Sequence, residues 1–373
     1  MGKQGFNRST TRSVATGDAI PIPGEIIMML KMSQGLGRQI RTDDAPALGD
    51  ATYRLLIAAI QQEEWTQVRH LSEYFFQELN TIRKVYVDWC RDMVTWFSER
   101  HGKNDLWLIE QTTSPWYEAR YQNVMGLDAT DLFRRLIVNE SSEALLSRAA
   151  SELLSTIGRR EREASASRTE DLRSQAQLLH DIYTDWCWSI MTCVSRVYGE
   201  EEVAKLIRDT VIPWFKARYD RYFALPEEER LQLTVEGMRG HLCGPGRLGD
   251  VEVSDEGNRW IISFDPCGSG GRMRRGDPLK GDPPRIDAPY NFGVSSRPYD
   301  WTWGQTGVCY YCAHCAIVNE QLAIDTYGDP IRVTDYPRDP HHPCRWIIYK
   351  NVEDIPEEYY TRVGRRKPRP DST

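Results

Sequence analysis

The sequence predicts an α+β protein: a duplicated all-helical domain followed by a small, mixed, β-rich domain that binds metal through cysteine and histidine. Three observations predict it. First, Tyr86-Val-Asp-Trp-Cys90 recurs as Tyr183-Thr-Asp-Trp-Cys187, and Pro115-Trp-Tyr-Glu-Ala-Arg-Tyr121 as Pro213-Trp-Phe-Lys-Ala-Arg-Tyr219, in the same order. Two matched blocks in order indicate an internal repeat. Second, Val68, Leu71, Phe75, Leu79, Ile82, Tyr86, Trp89, Met93 and Phe97 step by three and four, the stripe of a buried helix face. Third, six of the nine cysteines and four of the seven histidines fall between His241 and Cys344, a crowding that points to metal or redox chemistry.

Residues 1–50 are rich in Gly, Ser, Thr and Pro and read as a loosely ordered arm, with Ile26–Leu30 as a short docking helix. Residues 51–238 form the helical domain, its two copies spanning about 53–140 and 150–238. Each copy reads as a long helix, a second helix, and a third that begins near Pro115 or Pro213, since proline suits a first helical turn. Gly102 and Gly199 suit the ends of the long helices. Asp88 and Asp185 sit among aromatic residues, and Arg120 and Arg218 in the same copies are their expected partners.

The mixed domain spans residues 239–360, with a basic tail over 361–373. Val251–Val253 and Trp260–Phe264 flank Asp255-Glu-Gly-Asn258, a hairpin signature. A long Gly/Pro-rich passage from Cys267 to about Trp301 follows, of the kind that carries function. Beyond it, Gly307–Tyr311 reads as a strand, Ala313–Tyr327 as a helix, and Ile331–Tyr336 and Arg345–Tyr349 as strands.

Composition narrows the function. A net charge of −7 argues against a general nucleic-acid binder, and the lack of any long apolar run argues against a membrane span. With no secretory h-region and an odd number of cysteines, the expected location is cytoplasmic, with thiols free or on metal. The abundant Trp and Tyr favour a homo-oligomer with its contact on the helical side, and the expected partner is a small molecule.

Cys312-Ala-His-Cys315 is the half-site spacing of a zinc centre, which Cys267 and one of Cys243, His241 or Cys344 would complete. Two other readings compete. A redox dithiol, Cys312 with Cys315, suits a strand-to-helix junction but lacks the βαβ unit that should precede it. An iron–sulfur cluster on Cys309, Cys312 and Cys315 would need a remote fourth ligand, because Asn319 stands where the nearby one belongs. Cys90, Cys187 and Cys193 lie on apolar helix faces and read as core.

The Pro266-Cys-Gly-Ser-Gly-Gly271 turn could present backbone amides to an anion, with Arg272 orienting an anionic group. Cys267 is a ligand or nucleophile there, and His314 or His241 would move protons. Trp301, Trp303, Tyr310 and Tyr311 would wall an apolar pocket. The resulting expectation is a zinc-dependent hydrolase acting on an amide, ester or ring C–N bond of a small molecule held between the two domains. A binding or regulatory module with a structural zinc, and a Cys312/Cys315 thiol oxidoreductase, are the alternatives.

Overall fold

The computed structural model describes residues 30–102, 140–278 and 280–368. A hairpin comes first, β1 (Leu30–Ser33) against β2 (Arg38–Arg41), where a loose arm was expected. Arg41 explains the order: its buried guanidinium binds Asp43 at 2.7 Å and the carbonyls of Asp50 and Ala47 at 2.6 and 3.0 Å. Leu30 therefore belongs to a strand, and the rest of the expected 26–30 helix lies outside the described residues. So do Pro115, Trp116 and Arg120.

Two helix pairs follow, α1 (Thr52–Gln61) with α2 (Trp65–His101) and α3 (Glu140–Gly158) with α4 (Arg162–Tyr198). The long helices, α2 and α4, are both 37 residues and stop at Gly102 and Gly199. Those glycines take φ of +88° and +93°, where a Cβ would be strained. Every residue of the expected apolar stripe on α2 is buried. The thiols of Cys90 and Cys187, at matching places in the repeated blocks, meet at 3.4 Å where the two helices pack.

The second copy departs from expectation after Gly199. One continuous helix, α5 (Glu200–Phe223), runs straight through Pro213, which is therefore interior rather than at a first turn. Interior proline removes a hydrogen bond. Here Val203, Ile207, Val211, Phe215, Tyr219 and Tyr222 keep one buried stripe across it, so tertiary packing outweighs the local break. The last long helix, α6 (Glu227–Gly240), is fastened to α2 by the buried pair Arg239–Glu78 at 2.8 Å.

The sheet is four-stranded and antiparallel in the order β3 (Glu252–Asp255), β4 (Arg259–Phe264), β6 (Cys344–Tyr349), β5 (Val333–Asp335). The expected hairpin is present as β3–β4. Gly307–Tyr311 is not a strand; only an isolated bridge joins Val294 to Cys309. The expected 313–327 helix divides into a π-helical stretch, Cys315–Gln321, and a short α-helix, Leu322–Tyr327. Glu320 fixes the π turn, accepting bonds from the Trp303 indole, the Thr334 amide and Arg362 at 2.9 Å each.

The fold is thus mixed helix and sheet, and its parts share a core. One apolar cluster runs from Tyr86, Trp186 and Phe215 on the helices into Tyr310, Tyr311 and Ile317 beyond the sheet. No helix among the described residues is long and apolar enough to cross a membrane.

Candidate functional site

Strand pairing delivers two thiols to one end of the sheet. Phe264, the last residue of β4, pairs with Cys344, the first of β6, and Cys267 follows Phe264 by three residues. Cys312 and Cys315 arrive from the turn before the π-helical stretch, where the Cys315 amide donates to the Cys312 carbonyl at 3.0 Å. All four thiols line one cavity of about 50 Å³. These are also the four part-accessible cysteines; Cys90, Cys187, Cys193, Cys243 and Cys309 are fully buried. All nine are free thiols.

Close approach requires glycine at two places in the Cys267 turn. A Cβ on Gly268 would stand 1.7 Å from the His241 carbonyl oxygen, and one on Gly270 would stand 2.4 Å from the Cys312 sulfur. These glycines let the turn press against the end of α6 and against Cys312, which is a packing role rather than the expected anion nest.

The expected ligands separate accordingly. Cys267, Cys312, Cys315, Cys344 and His241 line the cavity. Cys243 does not; its sulfur lies behind the turn, accepting the Gly268 amide at 3.3 Å. Cys309 accepts the Cys312 amide at 3.2 Å, beneath the site. His314 lines the cavity, its Nδ1 donating to the Tyr311 carbonyl at 2.5 Å and its Nε2 lying 3.6 Å from the Cys315 sulfur. His342 borders the cavity from an exposed loop. Of the expected aromatic wall, Trp303 and Tyr311 line it. Trp301 is stacked on Tyr299 instead, and Tyr310 is committed to Glu200 at 2.8 Å.

Arg272 needs a different account from the expected one. It is buried away from the cavity, with Nη2 on Asp185 at 2.5 Å and Nε near Asp181 at 3.3 Å. The buried Asp185 also holds Arg285 at 2.9 Å, so its partners are Arg272 and Arg285 rather than Arg218. Asp181 further binds Arg247 at 2.8 Å and Lys280 at 2.9 Å. Burial alone would raise the Asp181 carboxyl, but Arg247 and Arg272 overcome it and hold the group well below the usual carboxylate range. Two carboxylates one turn apart on α4 thus anchor the long 267–301 loop. Asp88 is half-buried and pairs with Lys84 and Arg91.

From Asp181 a hydrogen-bonded chain leads to the cavity. His180 Nδ1 lies 3.3 Å from Asp181 Oδ1, and His180 Nε2 lies 3.1 Å from His241 Nδ1. A carboxylate only accepts, so His180 carries its proton on Nδ1 and accepts with Nε2. His241 must then donate from Nδ1, which leaves its Nε2 bare. Burial holds His180 down to about 4, and holds His241 well below the ordinary value with help from His180 and His314, so both rings are neutral near pH 7. The Tyr86 hydroxyl extends the chain, lying 3.4 Å from His241 Nδ1 and hydrogen-bonded to the Tyr311 hydroxyl.

A second pocket, of about 460 Å³, lies on the other side of this wall and shares Tyr86, His241, His314 and Trp346 with the cavity. It is large enough for a small organic molecule. Among the described residues no three His, Cys, Asp or Glu side chains stand close enough to clasp an ion as placed. The cavity's donor set, soft thiols beside the unprotonated Nε2 atoms of His241 and His314, suits zinc or iron. No family model, curated protein or solved structure matches the chain.

Sequence reasoning missed His180, Tyr86 as a site residue, and Arg332. One signal was available for the first. Under the 97-residue offset His180-Asp181 replaces Arg83-Lys84, a change of charge at equivalent places on the two long helices.

Proposed function

We propose that the protein is a metal-dependent enzyme, a hydrolase of a small organic molecule, with its metal at the Cys267/Cys312/Cys315 cavity. The observation that carries this reading is the Asp181–His180–His241 chain, which holds a bare His241 Nε2 at the wall shared by the thiol cavity and the larger pocket. A buried imidazole pair costs stability, and a purely structural metal site has no use for one.

Cys267, Cys312 and Cys315 would hold the ion as thiolates, and a metal with one open position supplies a water acidic enough to attack an amide, ester or ring C–N bond. His241 Nε2 takes a proton from the reacting side, and the developing positive charge is shared through His180 toward Asp181. Tyr86 and Tyr311, raised above their ordinary values by burial, remain protonated and share one hydrogen bond beside His241.

A second reading rests on Cys344, which lines the same cavity. If it binds too, the coordination sphere closes, the zinc is structural and the chain is a small-molecule-binding or regulatory module. Cys344→Ser separates the two: the enzyme reading expects a folded, metal-loaded protein, the structural reading loss of metal and fold. The dithiol reading is less well supported. The Cys312 thiol is raised by its contact with Cys309 and by burial, and burial pushes the Cys315 thiol up to about 12, whereas an attacking thiol needs a low value. Iron in place of zinc would favour the cluster alternative. Nine free thiols suit a reducing compartment, in keeping with a cytoplasmic protein.

A further inference from the structure

The 460 Å³ pocket carries more positive charge than its own carboxylates neutralise. Asp88 pairs with Lys84 at 2.5 Å and with Arg91 at 2.9 Å, and Asp92 lies 3.6 Å from Arg91. Those contacts occupy Arg91. Arg218 and Arg332 line the same pocket, and among the described residues neither has a carboxylate or hydrogen-bond partner. Among the described residues Arg218 meets only aromatic faces, 5.5 Å from the Trp214 ring centre and 5.9 Å from that of Tyr219. Arg332 stacks over Trp346 at 3.9 Å, and its Nε is buried without an acceptor. A buried guanidinium N–H without an acceptor is costly, and the cost is relieved when a ligand brings one.

We propose that this pocket binds a planar organic anion, with its carboxylate or phosphate held by Arg332 and Arg218 and its ring against Trp89, Trp214 and Tyr219. Guanidinium forks match both anions, and the aromatic walls favour a flat, apolar body. A neighbouring recess of about 480 Å³ shares Trp214, Arg218, Tyr219 and Arg332, so both guanidiniums stand where the two spaces join. His241 borders both spaces as well. The bound anion would therefore lie beside the group assigned to proton transfer, and its role as substrate rests on the proposed function; its binding does not.

The test is calorimetric titration of the full chain with 1-naphthoate, 1-naphthyl phosphate and neutral 1-naphthamide, with metal content measured on the same sample. At least one anion is expected to bind tenfold or more tightly than the amide, and the stronger one identifies the headgroup. Arg332→Gln and Arg218→Gln should each weaken that anion about tenfold or more. Arg218 is exposed, so its variant remains informative if Arg332→Gln melts early. Equal binding of the amide, or no anion binding up to about 5 mM, overturns the proposal. Anion binding by a metal-free protein upholds the pocket and sinks the metal reading, whereas a metal-loaded protein that ignores both anions sinks the pocket alone.

Discussion

His180 Nε2 and His241 Nδ1 face each other at 3.1 Å, and the Asp181 carboxylate behind His180 decides which of them holds the proton. The bond runs from His241 to His180, which leaves Nε2 bare on a ring that lines the cavity. Nitrogen-15 spectra of histidine-labelled protein near pH 7.5 should show His241 protonated on Nδ1 alone. In His180→Phe that acceptor is gone, and His241 should shift toward the other tautomer. A His241 protonated on Nε2 in the parent protein would reverse the chain and remove its use as a base.

The same rings make stability depend on pH. His180 is held down to about 4, below the ordinary value near 6.5 of an unfolded chain. The unfolded state therefore binds a proton that the native state refuses. This stability is fully present above pH 6.5 and is lost as pH falls toward 4, by as much as about 3 kcal/mol for this one group. His314, also held at about 4, acts in the same direction. Urea midpoints should drop between pH 7 and 5, and His180→Gln should lessen the drop. A flat profile would contradict the buried neutral assignment.

Asp185 is the anchor of the long loop. Asp185→Asn leaves Arg272 and Arg285 buried without their shared counter-charge. Breaking such a pair costs about 3–5 kcal/mol, and chemical denaturation should show a loss of that order. Proteolysis should then cut first within 267–301. A loss below about 1 kcal/mol would mean that the loop is held by other contacts.

Gly270→Ala tests the thiol cavity by steric means alone, because the added Cβ would meet the Cys312 sulfur at 2.4 Å. The variant should still fold, destabilised by the about 1–3 kcal/mol that overpacking costs, and retain less metal. Unchanged metal content would place the ion away from Cys312.

The β3–β4 hairpin, the long apolar stripe of α2 and the clustering of cysteines were all legible in the sequence, because each depends on local period or spacing. Pro213 misled because a local breaker was outweighed by a stripe that only the folded core reveals. Arg272 looked like an anion holder beside a glycine turn; that Asp181 and Asp185 claim it depends on the 179–194 stretch of α4 being buried on all sides, so that its carboxylates must find partners. Cys243 and Cys344 were indistinguishable as fourth ligands until strand pairing set Cys344 at the cavity and the Gly268 turn covered Cys243. His180 drew no attention because one histidine inside an apolar helix reads as core, and its meaning comes from His241, 61 residues away.

The most direct test of the proposed site is metal analysis of the purified chain, by plasma mass spectrometry, beside Cys312→Ser and Cys243→Ser. About one equivalent of zinc or iron is expected in the parent and in Cys243→Ser, whose sulfur lies outside the cavity, with most of it lost in Cys312→Ser. Less than about 0.2 equivalents in the parent, or retention in Cys312→Ser with loss in Cys243→Ser, would contradict a metal centre at the cavity of Cys267, Cys312 and Cys315.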